Sequence, residues 1–415
     1  MASGFKRGAV ADLEGNCRRK MRYDDDTDSI FIEFPNKLIK RLANICEHYM
    51  CCPGDYNEPI LRSLEFTNCN GADRNGGVSF LEAYYSVKPI KGTKQVIGSV
   101  FTKGLEVLLR YVEKRKVPES YPERLVLGKL LRYLVNTEIQ APLQNLEELN
   151  EKDLPIVLAN HLFGQLSTTS RFVIDKNSTG PTTCPCRPGC GVPCSYGDTS
   201  IGNEKVWHGN MDVIINQEVA INTIEDDSSP GKMSADISLS RNSQNIAQTV
   251  VFSFLQNQSH PESKHSLFPC ISVTTNDLVV DFYDSVHDVL LESSPIPFHV
   301  TGKESPLKKV NLTAIVVSWL VVNYKYLCSG LPEFSKSTAK AGFFLQARDK
   351  LQVYRDNLKY GNVGDSVHVD EESDSDVDTP DFLTEVRSKF YNVARGRWTE
   401  RDGNREEQNV SSFQK

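Results

Sequence analysis

The sequence predicts an α/β protein, a central mixed β-sheet flanked by helices on both faces, with a mainly helical N-terminal part packed on it. Three observations carry this. Apolar residues recur at helical spacing through about residue 166, short apolar runs with turn signals follow from about 168, and helical stripes return between those runs. The resulting order of helix, strand, strand, strand, helix, strand needs helices on both faces of one sheet. No period of 20 to 50 residues is evident, which argues against a solenoid.

The elements follow in chain order. Residues 1–28 balance six basic against six acidic side chains without apolar period and are expected to be disordered. Residues 29–150 form the helical part. Pro35 opens a helix in which Leu38, Ile39, Leu42, Ile45, Cys46 and Tyr49 share a face. Further helices are expected over 94–114, 123–140 and 144–166, striped by Leu125, Leu131, Leu134, Leu154, Leu158 and Leu162. Residues 151–330 form the sheet core. Strands are expected at 171–174, 205–215 and 219–224, the last two joined by a tight turn at Asn216-Gln217. A helix over 238–256 carries Ala247, Val250, Val251, Phe254 and Leu255 on one face, and strands at 269–273 and 278–283 follow. The apolar run Leu312 to Val322 is about half the ~20 residues a bilayer span needs, so it reads as a buried helix. Residues 331–360 are a helical extension. Residues 361–415 form an acidic tail, with a short amphipathic helix expected over 381–395.

Charge supports this division. The chain has 47 Lys and Arg against 54 Asp and Glu, a net −7, and residues 361–415 hold 13 acidic and 7 basic side chains. The tail therefore carries nearly all the net charge, and the ordered body is close to neutral. Asp365 to Asp381 holds eight carboxylates, with Ser366, Ser373 and Ser375 among them, a context suited to phosphorylation and to recruiting protein partners. The N-terminus lacks a signal-peptide core, so a cytoplasmic or nuclear location is expected, without a membrane role. Arg18, Arg19 and Lys20 offer a basic patch of the nuclear-localisation kind.

The residues that could carry chemistry cluster around Gly209-Asn210-Met211-Asp212, the hairpin strand after it, and the helix bearing Gln244 and Gln248. In this arrangement the chain resembles the PD-(D/E)xK, or restriction-endonuclease-like, superfamily, especially its RecB-like branch. The likeness covers about 150–330. It implies a metal-binding Asp in a G-x-x-D turn, here Asp212, an acid-x-Lys on the next strand, and a glutamine motif on the following helix, here Gln244 and Gln248. Two carboxylates would hold Mg²⁺, which orients a water and stabilises the phosphoryl transition state. The other reading of Asp212 is a turn cap. The acid-x-Lys is missing from Val219 to Ile224; Glu218 stands too early and Glu225 just past the strand. The resemblance thus implies a pseudo-nuclease. His208 is a phosphate contact, a metal ligand or a core histidine, and Glu138 suits an extra acidic position on an earlier helix.

Cys184, Cys186, Cys190 and Cys194 fall within CPCRPGCGVPC, an insertion spanning 180–200. Four thiols so spaced fit one tetrahedral Zn²⁺, or else form a loop of free thiols. Three functions follow: a degenerate nuclease-fold protein that binds nucleic acid or acts as a scaffold, a protein-interaction factor working through its acidic tail, and an active Mg²⁺-dependent nuclease using Asp212.

Overall fold

The computed structural model describes residues 27–51, 59–73, 76–187, 189–224, 244–300 and 309–363. Nearly all of the 1–28 segment, the start of the 238–256 helix, Glu225 and the acidic tail with its 381–395 helix lie outside the described residues. The α/β class holds, with an eleven-stranded mixed sheet at its centre.

The helices that shape the site are α1 (Asn36–Cys51), α2 (Thr102–Lys114), α3 (Tyr121–Val135), α4 (Asp153–Leu158), α5 (Asn245–Ser259), α6 (Leu312–Val322), α7 (Phe343–Ala347) and α8 (Leu351–Asp356). The strands are β1 (Ile60–Cys69), β2 (Tyr85–Pro89), β3 (Phe172–Asp175), β4 (Ser200–Gly202), β5 (Trp207–Asn210), β6 (Val213–Ile215), β7 (Val219–Thr223), β8 (Leu267–Val273), β9 (Asp277–Asp284) and β10 (Val289–Ser293). In the large sheet the order is β2-β1-β10-β9-β8-β7-β6-β3, with Tyr196–Gly197 at the edge. β7 runs parallel to β8 across the α5 crossover, and β3, β6 and β7 are joined antiparallel.

Strand period sorts the core into two. Val213, Ile215, Val219, Ile221, Ile271, Val280 and Phe282 point into one apolar cluster with α2, α3 and α6. Ile214, Ala220, Cys270, Tyr283 and Leu290 point into the other, with α5, α7 and α8. This is the alternation a sheet covered on both faces requires. α6 is buried along almost its whole length, as its uniform apolarity demands, and Trp319 donates its indole N–H to the Val126 carbonyl at 2.8 Å. Among the described residues no helix is long and apolar enough to cross a membrane.

Three expectations need correction. The 29–150 part, expected to be mainly helical, also supplies strands to the large sheet. Its ten-residue β1 pairs with β10, Leu61 opposite Ser293 through Leu64 opposite Leu290, so residue 150 is no boundary in the sheet. The strand expected over 205–215 is two strands in two sheets. β5 pairs with β4 in a small second sheet, and the chain turns at Met211-Asp212 to enter the large sheet as β6. Gly209, at φ 146°, lies just before that corner, where an added Cβ would come within 2.9 Å of the Phe80 ring. Helix 94–114 begins only at Thr102, after a short strand at Gln95–Val96. The tight turn at Asn216-Gln217 is present: both residues have positive φ, and the Glu218 N–H bonds the Ile215 carbonyl at 2.9 Å. That backbone is the one that follows strand twist.

Candidate metal centre

The cysteine insertion folds as a small hairpin. Thr183 bridges Pro193, the Cys184 N–H bonds the Val192 carbonyl at 2.8 Å, and the Cys194 N–H bonds the Thr182 carbonyl at 2.9 Å. Gly189 and Gly191, at φ 94° and 67°, flank Cys190 and turn the chain there. Beside this tip lies a π-helical turn, Ala159–Phe163, inserted between α4 and the short helix Gly164–Leu166. A π-turn adds one residue to a helical turn and re-aims the side chains on it. Here it presents His161.

The result is a group of four: His161, Cys184, Cys186 and Cys190, with one ligand atom from each, all within 4.8 Å of one another. The Cys184 Sγ to His161 Nε2 distance is 3.6 Å. A tetrahedral zinc with ordinary Zn–S and Zn–N bonds would set that edge at about 3.6 Å. The surroundings match a ligand set. His161 has a second hydrogen bond, to the backbone of Ile139, and such a bond fixes the tautomer of a ligating imidazole. The Asn160 amide donates to Cys190 Sγ at 3.4 Å, and the Cys190 N–H donates to Cys186 Sγ at 3.3 Å. Burial pushes the Cys184 thiol up to about 12, and burial likewise lowers His161. Cys190 is also pushed up by its partial burial, but the Val192 N–H, the neighbouring thiols and Asn160 together hold it below its ordinary value. His161, Cys184 and Cys186 are buried and Cys190 is exposed, so the group closes a coordination sphere at the protein surface. Four protein ligands leave no open position, which is the design of a structural site. This cluster could hold a metal such as zinc.

No family model, no curated protein and no solved structure matches this chain.

Cys194 is not in the group, and His161 takes its place. The reason is the hairpin: Cys194 sits on its stem, paired to Thr182, and its thiol lies by Tyr196 rather than at the tip. Sequence spacing alone favoured four contiguous thiols, because nothing local marks an imidazole 23 positions upstream as a neighbour. The signal that could have found it was a lone buried histidine on an otherwise apolar helical stripe.

The Asp212 corner is a separate place. The Asp212 carboxylate accepts the Thr223 N–H at 2.7 Å, and its own N–H points at Asn222 Oδ1 at 3.4 Å. Burial of the carboxyl raises it above the usual carboxylate range, against the pull of the Thr223 bond, and the charge of Asp175 raises it further. Asp175, missed in the sequence, ends β3; it accepts Asn210 Nδ2 at 2.6 Å and the Asn177 N–H at 3.0 Å. Continuing the β6–β7 ladder from Val213 opposite Ile221 puts Asn222 opposite Asp212, an amide where a metal site needs an acid.

The other expected residues divide. Gln248 is buried and donates to the Asn210 carbonyl at 3.2 Å, so it does reach the Asp212 corner. Gln244 is half-buried at the start of α5, its carbonyl bonded by the Gln248 N–H. Glu218 is elsewhere: it follows the turn at the far end of β6, roughly 10 Å from Asp212 by strand rise, and pairs with Lys325 at 2.9 Å. His208 lies in the small sheet and donates from Nδ1 to the Val206 carbonyl at 2.9 Å, a local bond. Glu138 is exposed on a short helix, Thr137–Gln140, not on an apolar face. An open cleft of about 690 Å³ adjoins Thr223 and Ile224, lined also by Leu149, Asn150, Glu151, Lys152, Leu154 and Thr275.

Proposed function

We propose that this chain is a metal-stapled member of the PD-(D/E)xK-like class whose hydrolytic site is disarmed, and that it binds nucleic acid without cutting it. Three features support the class: α4, β3, β6, β7, α5 and β8 keep the expected order, with β4 and β5 inserted before β6, Asp212 heads β6, and Gln248 reaches the Asn210 carbonyl two residues before it. The observation that carries the loss of chemistry is the pairing of Asp212 with an amide, Asn222, while its carboxylate is spent on the Thr223 N–H. Glu218 is tied to Lys325, and among the described residues the carboxylate beside Asp212 is Asp175 of β3, which is taken up by Asn210 and the Asn177 N–H, while β7 offers no acid to complete a Mg²⁺ site. The cleft beside Thr223, whose wall carries Lys152 next to Glu151, is the surface along which a phosphodiester backbone would lie. His161, Cys184, Cys186 and Cys190 would hold Zn²⁺, which supplies a crosslink between hairpin and helix and no reaction step.

The test pairs two assays on the full chain. Fluorescence anisotropy with single-stranded and duplex DNA and RNA is expected to show saturable binding that weakens as salt rises. Incubation of the same substrates with Mg²⁺ or Mn²⁺ is expected to leave them intact. Cleavage lost in Asp212→Ala would instead establish an active nuclease. Absence of binding to every substrate would leave the protein scaffold, working through the acidic tail, as the reading.

A further inference from the structure

A buried polar chamber lies between α5 and the sheet; the hairpin centre does not use it, and it shares with the Asp212 corner only Asn222, whose Oδ1 faces the Asp212 backbone N–H. Ala220, Cys270, Asp281, Glu292 and Arg62 are successive neighbours across β7, β8, β9, β10 and β1. Ala220 and Cys270 point to the α5 side, so Asp281 and Glu292, in the same row, do too. Two carboxylates thus stand side by side, their Cβ atoms about 5 Å apart by sheet geometry. Asp281 is 0% exposed and Glu292 4%.

The helix opposite answers with a polar stripe. Ser253 Oγ donates to the Tyr283 carbonyl at 2.7 Å, and the Thr249 hydroxyl meets the Cys270 thiol. Asn245 is the next residue on that stripe, about 6 Å further along the helix. Two residues along a strand cover nearly the same distance. Asn245 therefore stands over the next row, where Asn222 of β7 is in register with Ser272 of β8. Ser272 Oγ in turn donates to Asp281 Oδ2 at 3.4 Å, so Asp281 leans into the same space. Among the described residues, Asp281 Oδ1, Asn222 Nδ2 and both amide atoms of Asn245 have no hydrogen-bond partner, and all three residues are at most 2% exposed. Orphaned buried polar atoms are rare, and this chamber gathers four of them from three elements.

We infer that this chamber is a binding site for a hard divalent cation of the Mg²⁺ or Mn²⁺ class, held by Asp281 and Glu292 with the amide oxygens of Asn222 and Asn245. The donor set is all oxygen, the preference of these ions, whereas the thiol and imidazole set of the hairpin selects a softer one. Two carboxylates neutralise a dication, which removes the cost of burying them side by side. Waters on the ion would accept from the Asn222 and Asn245 amide N–H groups, which cannot themselves be ligands. The Tyr85 hydroxyl, bonded to the Ile246 backbone, lies in the field of both carboxylates and marks the chamber's wall. The competing arrangement is a proton shared by Asp281 and Glu292, with Arg62 next in the row.

The inference goes beyond the proposed function, since it needs neither nucleic acid nor Asp212. The probe is Mn²⁺, titrated into the full chain after chelation and return of one equivalent of zinc, and followed by electron paramagnetic resonance. The expected result is one bound Mn²⁺ per chain, weakened at least tenfold by Asp281→Asn and by Glu292→Gln and unaltered by Asp212→Asn. Tb³⁺ should bind in its place with tyrosine-sensitised emission that Tyr85→Phe removes. Failure of the wild-type chain to bind Mn²⁺ at millimolar concentration overturns the site, whatever the variants do. So does binding that survives both carboxylate changes, or that is lost in Asp212→Asn.

Discussion

Replacing His161 by Ala separates the ligand set of the fold from the one that cysteine spacing suggests. With zinc bound, His161 and Cys184 close a segment of about 24 residues, and crosslinking such a loop contributes about 3.5 kcal/mol through the unfolded state. For the roughly 300 described residues, the unfolding entropy is about 0.6 kcal/mol/K, so losing that crosslink lowers Tm by about 5–6 °C. Three thiolates would remain, so zinc should still bind, but more weakly. The measurement is zinc per chain by mass spectrometry after dialysis against a mild chelator, with calorimetry of the same samples. His161→Ala is expected to lose its zinc and about 5–6 °C, and His161→Cys to restore both, since four thiolates also suit the ion. Cys194→Ser should keep one zinc per chain. A Cys194→Ser chain that loses zinc while His161→Ala keeps it and its Tm would refute the assignment.

Three further outcomes follow from the packing and electrostatics. Phe343 is fully buried against Phe66, Trp207, Phe254, Tyr283 and Tyr354, so Phe343→Ala should cost about 3–5 kcal/mol in urea unfolding and shift Trp207 emission to the red. Gln217 holds a positive φ in the β6–β7 turn, so Gln217→Gly should raise stability by about 0.5–1 kcal/mol, read as a higher urea midpoint. Burial, and then the charge of Glu292, push Asp281 well above the usual carboxylate range. The folded chain therefore holds a proton that the unfolded chain gives up from about pH 4, and Asp281 costs stability as pH rises toward its folded value. In divalent-free buffer the Asp281→Asn chain should gain on wild type between pH 5 and 8, and parallel urea midpoints across that range would contradict the sign.

The sequence by itself determined most of the element types in the described core. The short run after a turn at Val219 to Thr223, the helical stripe of Ala247 to Leu255 and the unbroken apolarity of Leu312 to Val322 are local patterns, and each element formed where its pattern lies. Local pattern also located the Asn216-Gln217 turn, because that backbone must follow strand twist. Where a segment goes is a different matter. The stretch 205–215 reads as one strand, yet a corner at Met211-Asp212 divides it between two sheets. The β1 strand, in a part that reads as helical, finds its partner β10 more than 220 residues away. Partners are chosen by burial of whole faces, which no window of sequence contains. The metal centre repeats the lesson at atomic scale. Spacing located three of its ligands, since a short loop forces nearby thiols together. Only the packing of a π-turn against the hairpin tip exchanged Cys194 for His161, because a coordination sphere depends on which side chains point inward.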